Sequence, residues 1–466
     1  MLKKFKSLFT AQDMTVGSPI KCLLMFSVPL LIGNLAQLLY STVDSIVVGK
    51  YCGDAALSAL GVTTPIVTLF MVVFMAIGSG VMVMVSQYFG AKEYRLLEST
   101  IGNAFTLIAI ASVFLTAVGI PLTPAILNAI NTPAEVYDMA KAYLIIILIG
   151  SAGDGFYNIF SGILRGLGES VYPLIVLILT TVLNIALDIW FVAGLGMGVA
   201  GAAWATTICK TVSAIACVIK VLLIKDNFKI HLKDLKLIKS IVLNVCRLGI
   251  PNGLAQGIMF FSTIIVQAFV NKMGYIVTAS ITAVLRVDGF AVIPSQTFGM
   301  CSSTFTGQNV GAGKLDRVKQ GSRDVFLMSL GTSIVMVALI LIFGKWMMSL
   351  FTSTPEVIDL AYEFILIMLP AYILLTLIQT YGGVIRGAGD AMPPMWFNII
   401  TNTVIRIPLM LILVKATTSE IYPAGNPRVN WISFVIAMCI NTIATMVYYF
   451  SGKWKNKSII SRNNQE

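Results

Sequence analysis

The stretch Thr181-Val182-Leu183-Asn184-Ile185-Ala186-Leu187-Asp188 lies inside an apolar run from about Tyr172 to Phe191. About twenty such residues are what a helix needs to cross a ~30 Å hydrocarbon core. Thr181, Asn184 and Asp188 sit at i, i+3 and i+7, which places them on one helical face. A carboxylate inside a spanning helix costs roughly 2.5–3.5 kcal/mol on insertion scales, so Asp188 is a candidate functional residue.

Composition makes this run one of many. The chain has 466 residues, 57% hydrophobic and 11% charged; soluble domains carry about 25% charge. With a mean hydropathy of +0.88, it reads as a polytopic membrane protein. Twelve spans are expected, at about 20–49, 55–85, 99–122, 137–163, 172–193, 198–223, 240–270, 277–305, 323–348, 357–385, 394–415 and 430–452. This divides the chain into an N-terminal segment (1–19), a first six-helix lobe (20–224), a charged linker (225–239), a second lobe (240–452) and a tail (453–466).

The net charge of +11 is not a nucleic-acid signal, because its basic residues fall mostly between spans. With the N-terminus inside, 23 of the 32 Lys/Arg lie at cytoplasmic ends, including Lys3, Lys4, Lys6, Lys225, Arg165, Arg386 and Arg462. Outside are Lys50, Lys141, Lys272, Lys345, Lys415 and Arg428; within helices are Lys210, Arg286 and Arg406. The bias predicts a multi-pass cell-membrane protein with both termini cytoplasmic.

The halves repeat. Leu164-Arg165-Gly166-Leu167-Gly168-Glu169 returns as Ile385-Arg386-Gly387-Ala388-Gly389-Asp390, and Gln87 to Ala91 returns as Gln308 to Ala312, both at an offset of 221. Thr132-Pro133 returns as Thr354-Pro355, and Pro29 has a looser partner in Pro251. Six spans per half make these parallel repeats, an architecture of secondary transporters.

Gln37, Tyr40 and Asp44 in the first span repeat the i, i+3, i+7 spacing of the fifth. Asp44, Asp188 and Thr206 fall at similar depth in the outer half of the bilayer. Two carboxylates, an amide and a hydroxyl can hold a proton or coordinate a hard monovalent cation; ordinary interhelical hydrogen bonding is the blander reading of Asn184 and Thr206. At the 221 offset Asp44, Asn184 and Asp188 become Ile265, Ile405 and Leu409, so the second half lacks the acids. Lys210 could pair with Asp154 or with Asp188. Asp288 could meet a cationic substrate or order its own lobe.

Other features carry less. Gly196-Met197-Gly198-Val199-Ala200-Gly201 fits GxGxxG but has no strand before it, which speaks for a turn and against nucleotide binding. The seven cysteines have no metal spacing and read as free, buried thiols. His231, the one histidine, reads as a solvated loop residue. No metal cofactor is expected. With no intramembrane histidine and no acid-rich motif, an enzyme has little to be built from.

Together these residues resemble the multidrug and toxic compound extrusion (MATE) family, in its bacterial MepA/DinF-type branch, over about residues 15–455. The resemblance rests on the two six-span halves and on Val43-Asp44-Ser45-Ile46-Val47-Val48-Gly49. It rests also on the paired Gln87 and Gln308 segments, the Arg-Gly-x-Gly turns, and Gly198-Val199-Ala200-Gly201-Ala202-Ala203. It implies an all-α fold of twelve helices in two pseudo-symmetric bundles. It also implies an antiporter exporting cationic lipophilic drugs by alternating access, acting as a monomer without nucleic acid. The coupling site would be Asp44, Asn184, Asp188 and Thr206, taking H⁺, with Na⁺ the alternative. Substrate contacts would be Gln37, Tyr40, Asn158 and Ser161; Thr181 and Asp288 join them as candidates from the residue pattern alone. Lys210 matches no family position. The alternative is a lipid-linked precursor flippase of the wider superfamily, which would need a strongly basic cleft.

Overall fold

In lipid every backbone N–H and C=O must be satisfied within the segment, which leaves helices as the solution for single apolar runs. The computed structural model describes residues 10–224, 228–420 and 422–460. Among these there is no strand. Lys3, Lys4, Lys6, Lys225 and Arg462 lie outside the described residues.

Eleven helices are long and apolar enough to span a membrane, and a bent pair makes a twelfth. We number them α1 (Pro19–Gly53), α2 (Ala55–Ala91), α3 (Tyr94–Ala129), α4 (Ala134–Ile149 with Ser151–Gly166), α5 (Val171–Gly194) and α6 (Gly198–Leu222). The second half contains α7 (Lys239–Met273), α8 (Tyr275–Gly311), α9 (Leu315–Ser349), α10 (Pro355–Gly387), α11 (Met392–Ala416) and α12 (Arg428–Phe450). α1 and α2 join at Gly53, whose φ of 80° only glycine adopts cheaply.

Two differences from the sequence reading concern helix regularity. The fourth span is not one rod: its two segments meet at Gly150 and are bent by 49°. Two spans carry π turns, Ile189–Gly194 in α5 and Ile400–Ile405 in α11. Neither leaves a mark in hydrophobic periodicity, because one extra residue per turn is absorbed locally.

The chain divides into two compact units, one of residues Met1–Met14 and Leu24–Gly253, the other of Thr15–Leu23 and Leu254–Glu466. In the first unit the start of α7 lies on α2: side chains at Gly80 and Gly249 would overlap the carbonyls of Val245 and Ala76. In the second unit Lys314 donates to the Thr15 carbonyl at 2.8 Å, and Arg317 to those of Gly17 and Val16 at 2.7 and 2.9 Å. Ser302 on α8 donates to the Thr380 carbonyl of α10 at 2.8 Å.

α5 is partly polar on its packed face and apolar outward. In α5, Leu179 and Val182 are each 64% exposed, whereas Thr180, Asn184 and Asp188 are buried. A lipid-facing leucine loses nothing, so packing in the membrane goes to small and polar residues. The buried polar stripe runs 180, 184, 188, and Thr181 lies at its edge. The expected 181, 184, 188 face is therefore off by one residue. Ser213 of α6 donates to Thr180 at 3.0 Å, which fixes the helix rotation.

Candidate functional site

The site is built within the first unit, from α1, α4, α5 and α6. Tyr40 and Asp44 are one turn apart on α1, as are Asn184 and Asp188 on α5. The carboxyl groups of Asp44 and Asp188 adjoin each other. Asp188 is fully buried and Asn184 nearly so. Asp44 Oδ1, both Asp188 oxygens and both polar side-chain atoms of Asn184 have no partner in hydrogen-bonding geometry. Five such atoms together are a concentration of unmet polarity that a packed core does not tolerate without a role.

Tyr40 donates to Thr206 of α6 at 3.3 Å, which ties α1 to α6. Tyr143 of α4 lies within electrostatic reach of both acids, and Cys209 of α6 within that of Asp188. Sequence reasoning missed these two. Tyr143 lies in a span with no acid of its own at that depth, so no linear pattern points to it. Asp188 is the last α-helical residue before the π turn of α5, and such turns recur at functional positions.

Lys210 pairs with Asp154 at 3.0 Å, which decides between the two partners open in the sequence. Its ammonium also lies 5.2 Å from the Tyr157 ring and 5.9 Å from that of Tyr40. The pair depends on close packing of α4 on α6. Side chains at Gly150 and Gly153 would collide with Thr207 and Thr211 respectively, in the latter case with Oγ1 at 2.6 Å. Lys210 is therefore engaged with Asp154 rather than with the acid cluster.

The expected substrate contacts divide. Tyr40 lines the cluster, and Gln37 is partly exposed one turn before it. Thr181 donates back to the Leu177 carbonyl at 2.7 Å and Asn158 to that of Asp154 at 2.9 Å. Ser161 accepts from Arg165 Nη2 at 2.9 Å and donates to the Asn158 carbonyl at 3.1 Å. Each of these three groups thus makes a hydrogen bond within its own helix. Asp288 belongs to the second unit, where its Oδ1 is buried beside Tyr372.

One other expectation is corrected: the free cysteines are not all buried. Arg165 and Arg386 are in the last turns of α4 and α10 and only partly exposed. Of the free cysteines, only Cys209, Cys217 and Cys301 are buried. Arg286 is exposed while Asp288 is not, so these neighbours have different surroundings. Arg406 bonds Asn430 at 3.3 Å and stacks 4.7 Å from the Phe434 ring.

Comparison with known proteins agrees with this architecture. The MatE family profile matches twice, over residues 29–190 and 251–412, which is the duplication seen in the sequence. "Probable multidrug resistance protein YoeA" of Bacillus subtilis is 28% identical, covering 93% of this chain and 94% of its own. "Multidrug export protein MepA" of Staphylococcus aureus is 24% identical, covering 93% and 94%. A solved structure described as the outward-facing conformation of a multidrug resistance MATE family transporter superposes with a TM-score of 0.88 at 22% identity, covering 95% and 98%. A MOP superfamily transporter from Pyrococcus furiosus superposes at 0.87 with 23% identity, covering 95% and 98%. At such identities the two structures speak for the fold. The twice-matched profile covers most of the chain, which therefore belongs to the MatE family of multi-pass membrane transporters and is not an enzyme.

Proposed function

We propose that the chain is a secondary active multidrug efflux antiporter of the cell membrane. It exports cationic lipophilic compounds in exchange for H⁺, or alternatively Na⁺, by alternating access of its two lobes, with both termini cytoplasmic. The names of its relatives, multidrug resistance and multidrug export proteins, favour the drug substrate. The observation that carries the coupling is the pair Asp44 and Asp188, buried side by side next to an unengaged Asn184 amide.

Two ionised carboxylates at short range in low dielectric repel strongly. One positive charge between them removes most of that cost. A proton does so with two oxygens; Na⁺ would use Asn184 Oδ1 and Thr206 as further ligands. A bound drug cation and the coupling ion thus compete for the same negative charge, which is the logic of exchange. Exchange of one such ion for one singly charged drug moves no net charge, so the ion's concentration gradient drives it: each tenfold gradient supplies about 1.4 kcal/mol, roughly a tenfold drug gradient. Pro29 lies inside α1 on the cytoplasmic side of Asp44 and lacks an N–H for the helix ladder. That weak point lets α1 bend when the charge at Asp44 changes. The flippase reading fares less well: Lys210 is neutralised by Asp154, and Arg406 stacks on Phe434.

The test is ethidium efflux from proteoliposomes, with a pH gradient and a Na⁺ gradient imposed separately. Efflux is expected with the pH gradient and lost in Asp188→Asn, while the variant elutes and melts like the wild type. Wild-type efflux by Asp188→Asn would refute the coupling role, and uncoupled ionic current would make the protein a channel.

A further inference from the structure

The transport reading leaves unused the one histidine of the chain and the segment that carries it. Residues 228–238 fold back on α3. Asn103 donates to the carbonyls of Lys236 at 3.1 Å and Asp234 at 3.4 Å, and its Oδ1 accepts from Ile238 N at 2.7 Å. Thr106 donates to the Leu235 carbonyl at 2.6 Å, and Phe228 stacks on Tyr94 at 6.5 Å. Gly102 leaves the space that the Asp234 carbonyl fills. The segment is thus positioned by a rigid helix, as a preformed site requires.

A 3₁₀ turn, Leu232–Leu235, brings Asp234 back to His231. Asp234 is 5% exposed; its Oδ2 accepts from His231 N at 2.8 Å and lies 3.7 Å from Nδ1. Glu98, near the start of α3, accepts from Lys229 N through Oε1 at 2.7 Å. One ligand atom each from Glu98, His231 and Asp234 falls within 4.8 Å of the others.

We infer that Glu98, His231 and Asp234 form a binding site for a divalent transition ion of the zinc class. One imidazole nitrogen and two carboxylate oxygens are a donor set that such an ion accepts, with water completing the tetrahedron. Ligand bonds of about 2.0–2.2 Å put tetrahedral donors about 3.3–3.5 Å apart. The His231–Asp234 pair is already near that spacing. The remaining separation closes by rotation of His231, which is 55% exposed, and of the Glu98 side chain. The existing hydrogen bonds do not consume the ligands. Each carboxylate has about four lone-pair sites and uses one or two, and those bonds orient it as outer-shell contacts do. Two carboxylates offset the dication. Lys229, Lys233 and Lys236 on the same segment are exposed, where solvent and salt screen them. Occupancy would clamp the α6–α7 connection to α3.

The test uses full-length protein purified through a tag without histidine, stripped by chelator and titrated with Zn²⁺ and Co²⁺. One ion per chain is expected, with an X-ray absorption shell of nitrogen and oxygen that includes an imidazole. His231→Ala and Glu98→Gln should each weaken binding by more than about tenfold, the loss typical of removing even an outer-shell partner. Equal melting in chelator establishes that both variants fold, and Zn²⁺ should raise the wild-type melt alone. No binding by the wild type, a sulfur shell from a free thiol, or wild-type affinity in His231→Ala overturns the proposal. None of these readouts depends on drug transport.

Discussion

Breaking the Lys210–Asp154 pair should destabilise the first unit, and replacing both members should largely restore it. At 3.0 Å the gross attraction is about 5 kcal/mol at an effective dielectric of 20. Desolvation of both groups offsets most of this, so the pair adds little over two apolar side chains. Removing one member is different, because a charge is left behind in a packed helix interface. The usual cost for buried pairs is about 3–5 kcal/mol. Both side chains here are 18% exposed, which lowers the expectation for Lys210→Met to about 2–3 kcal/mol. Asp154→Asn should cost less, since its amide oxygen still accepts from Lys210 and the Tyr157 and Tyr40 rings still face the ammonium. At about 2–4 °C per kcal/mol for a unit of this size, Lys210→Met should melt about 4–12 °C lower. With Cys22, Cys52, Cys246 and Cys439 replaced, the buried thiols Cys209 and Cys217 make a thiol-reactive dye a reporter of opening in the first unit. Lys210→Met with Asp154→Leu should return to within about 1 kcal/mol of wild type. Losses that simply add, or single variants within about 0.5 kcal/mol of wild type, refute the reasoning.

Three further outcomes are expected. Glu169, in the turn between α4 and α5, caps α5 by accepting from Val171 N and Tyr172 N, both at 3.0 Å, while its Oε2 is buried without a partner. Burial pushes its carboxyl pKa above the ordinary glutamate value. Its contribution is full below that ordinary value and is lost as pH rises through the folded one, so Glu169→Gln should flatten this part of the stability–pH curve; Glu169→Ala should lose about 1 kcal/mol of capping. Gly102→Ala puts a methyl into the Asp234 carbonyl, with Asp234 Cβ 2.9 Å away. It should loosen residues 228–238 by about 1–3 kcal/mol, seen as faster tryptic cleavage after Lys229 and Lys233 than in wild type. Tyr143→Phe should slow gradient-driven efflux while leaving the melting temperature within about 1 °C, since the ring and its packing are kept and only the hydroxyl is removed; an unchanged rate would remove Tyr143 from the site.

The membrane class, the number of spans, the duplication and the acids of α1 and α5 are legible in the chain itself. Each is a one-dimensional signal: apolar length fixed by bilayer thickness, a motif returning at a fixed offset, or an expensive residue in a cheap background. What tertiary structure decided is partnership. Sequence alone leaves Lys210 open to either of two acids, and only the close packing of Gly150 and Gly153 on α6 gives it to Asp154. Thr181 and Thr180 are both compatible with a helical face, and Ser213 on a neighbouring helix selects Thr180. Asn158 and Ser161 appear free in sequence yet bond within their own helix, Ser161 also to Arg165. Tyr143 and the Glu98–His231–Asp234 group are invisible to periodicity because their members come from segments that meet only in the fold. Sequence periodicity reports which face of a helix is polar; which neighbour meets that face is set by helix rotation, bends and small-residue contacts, and these are properties of the packed structure.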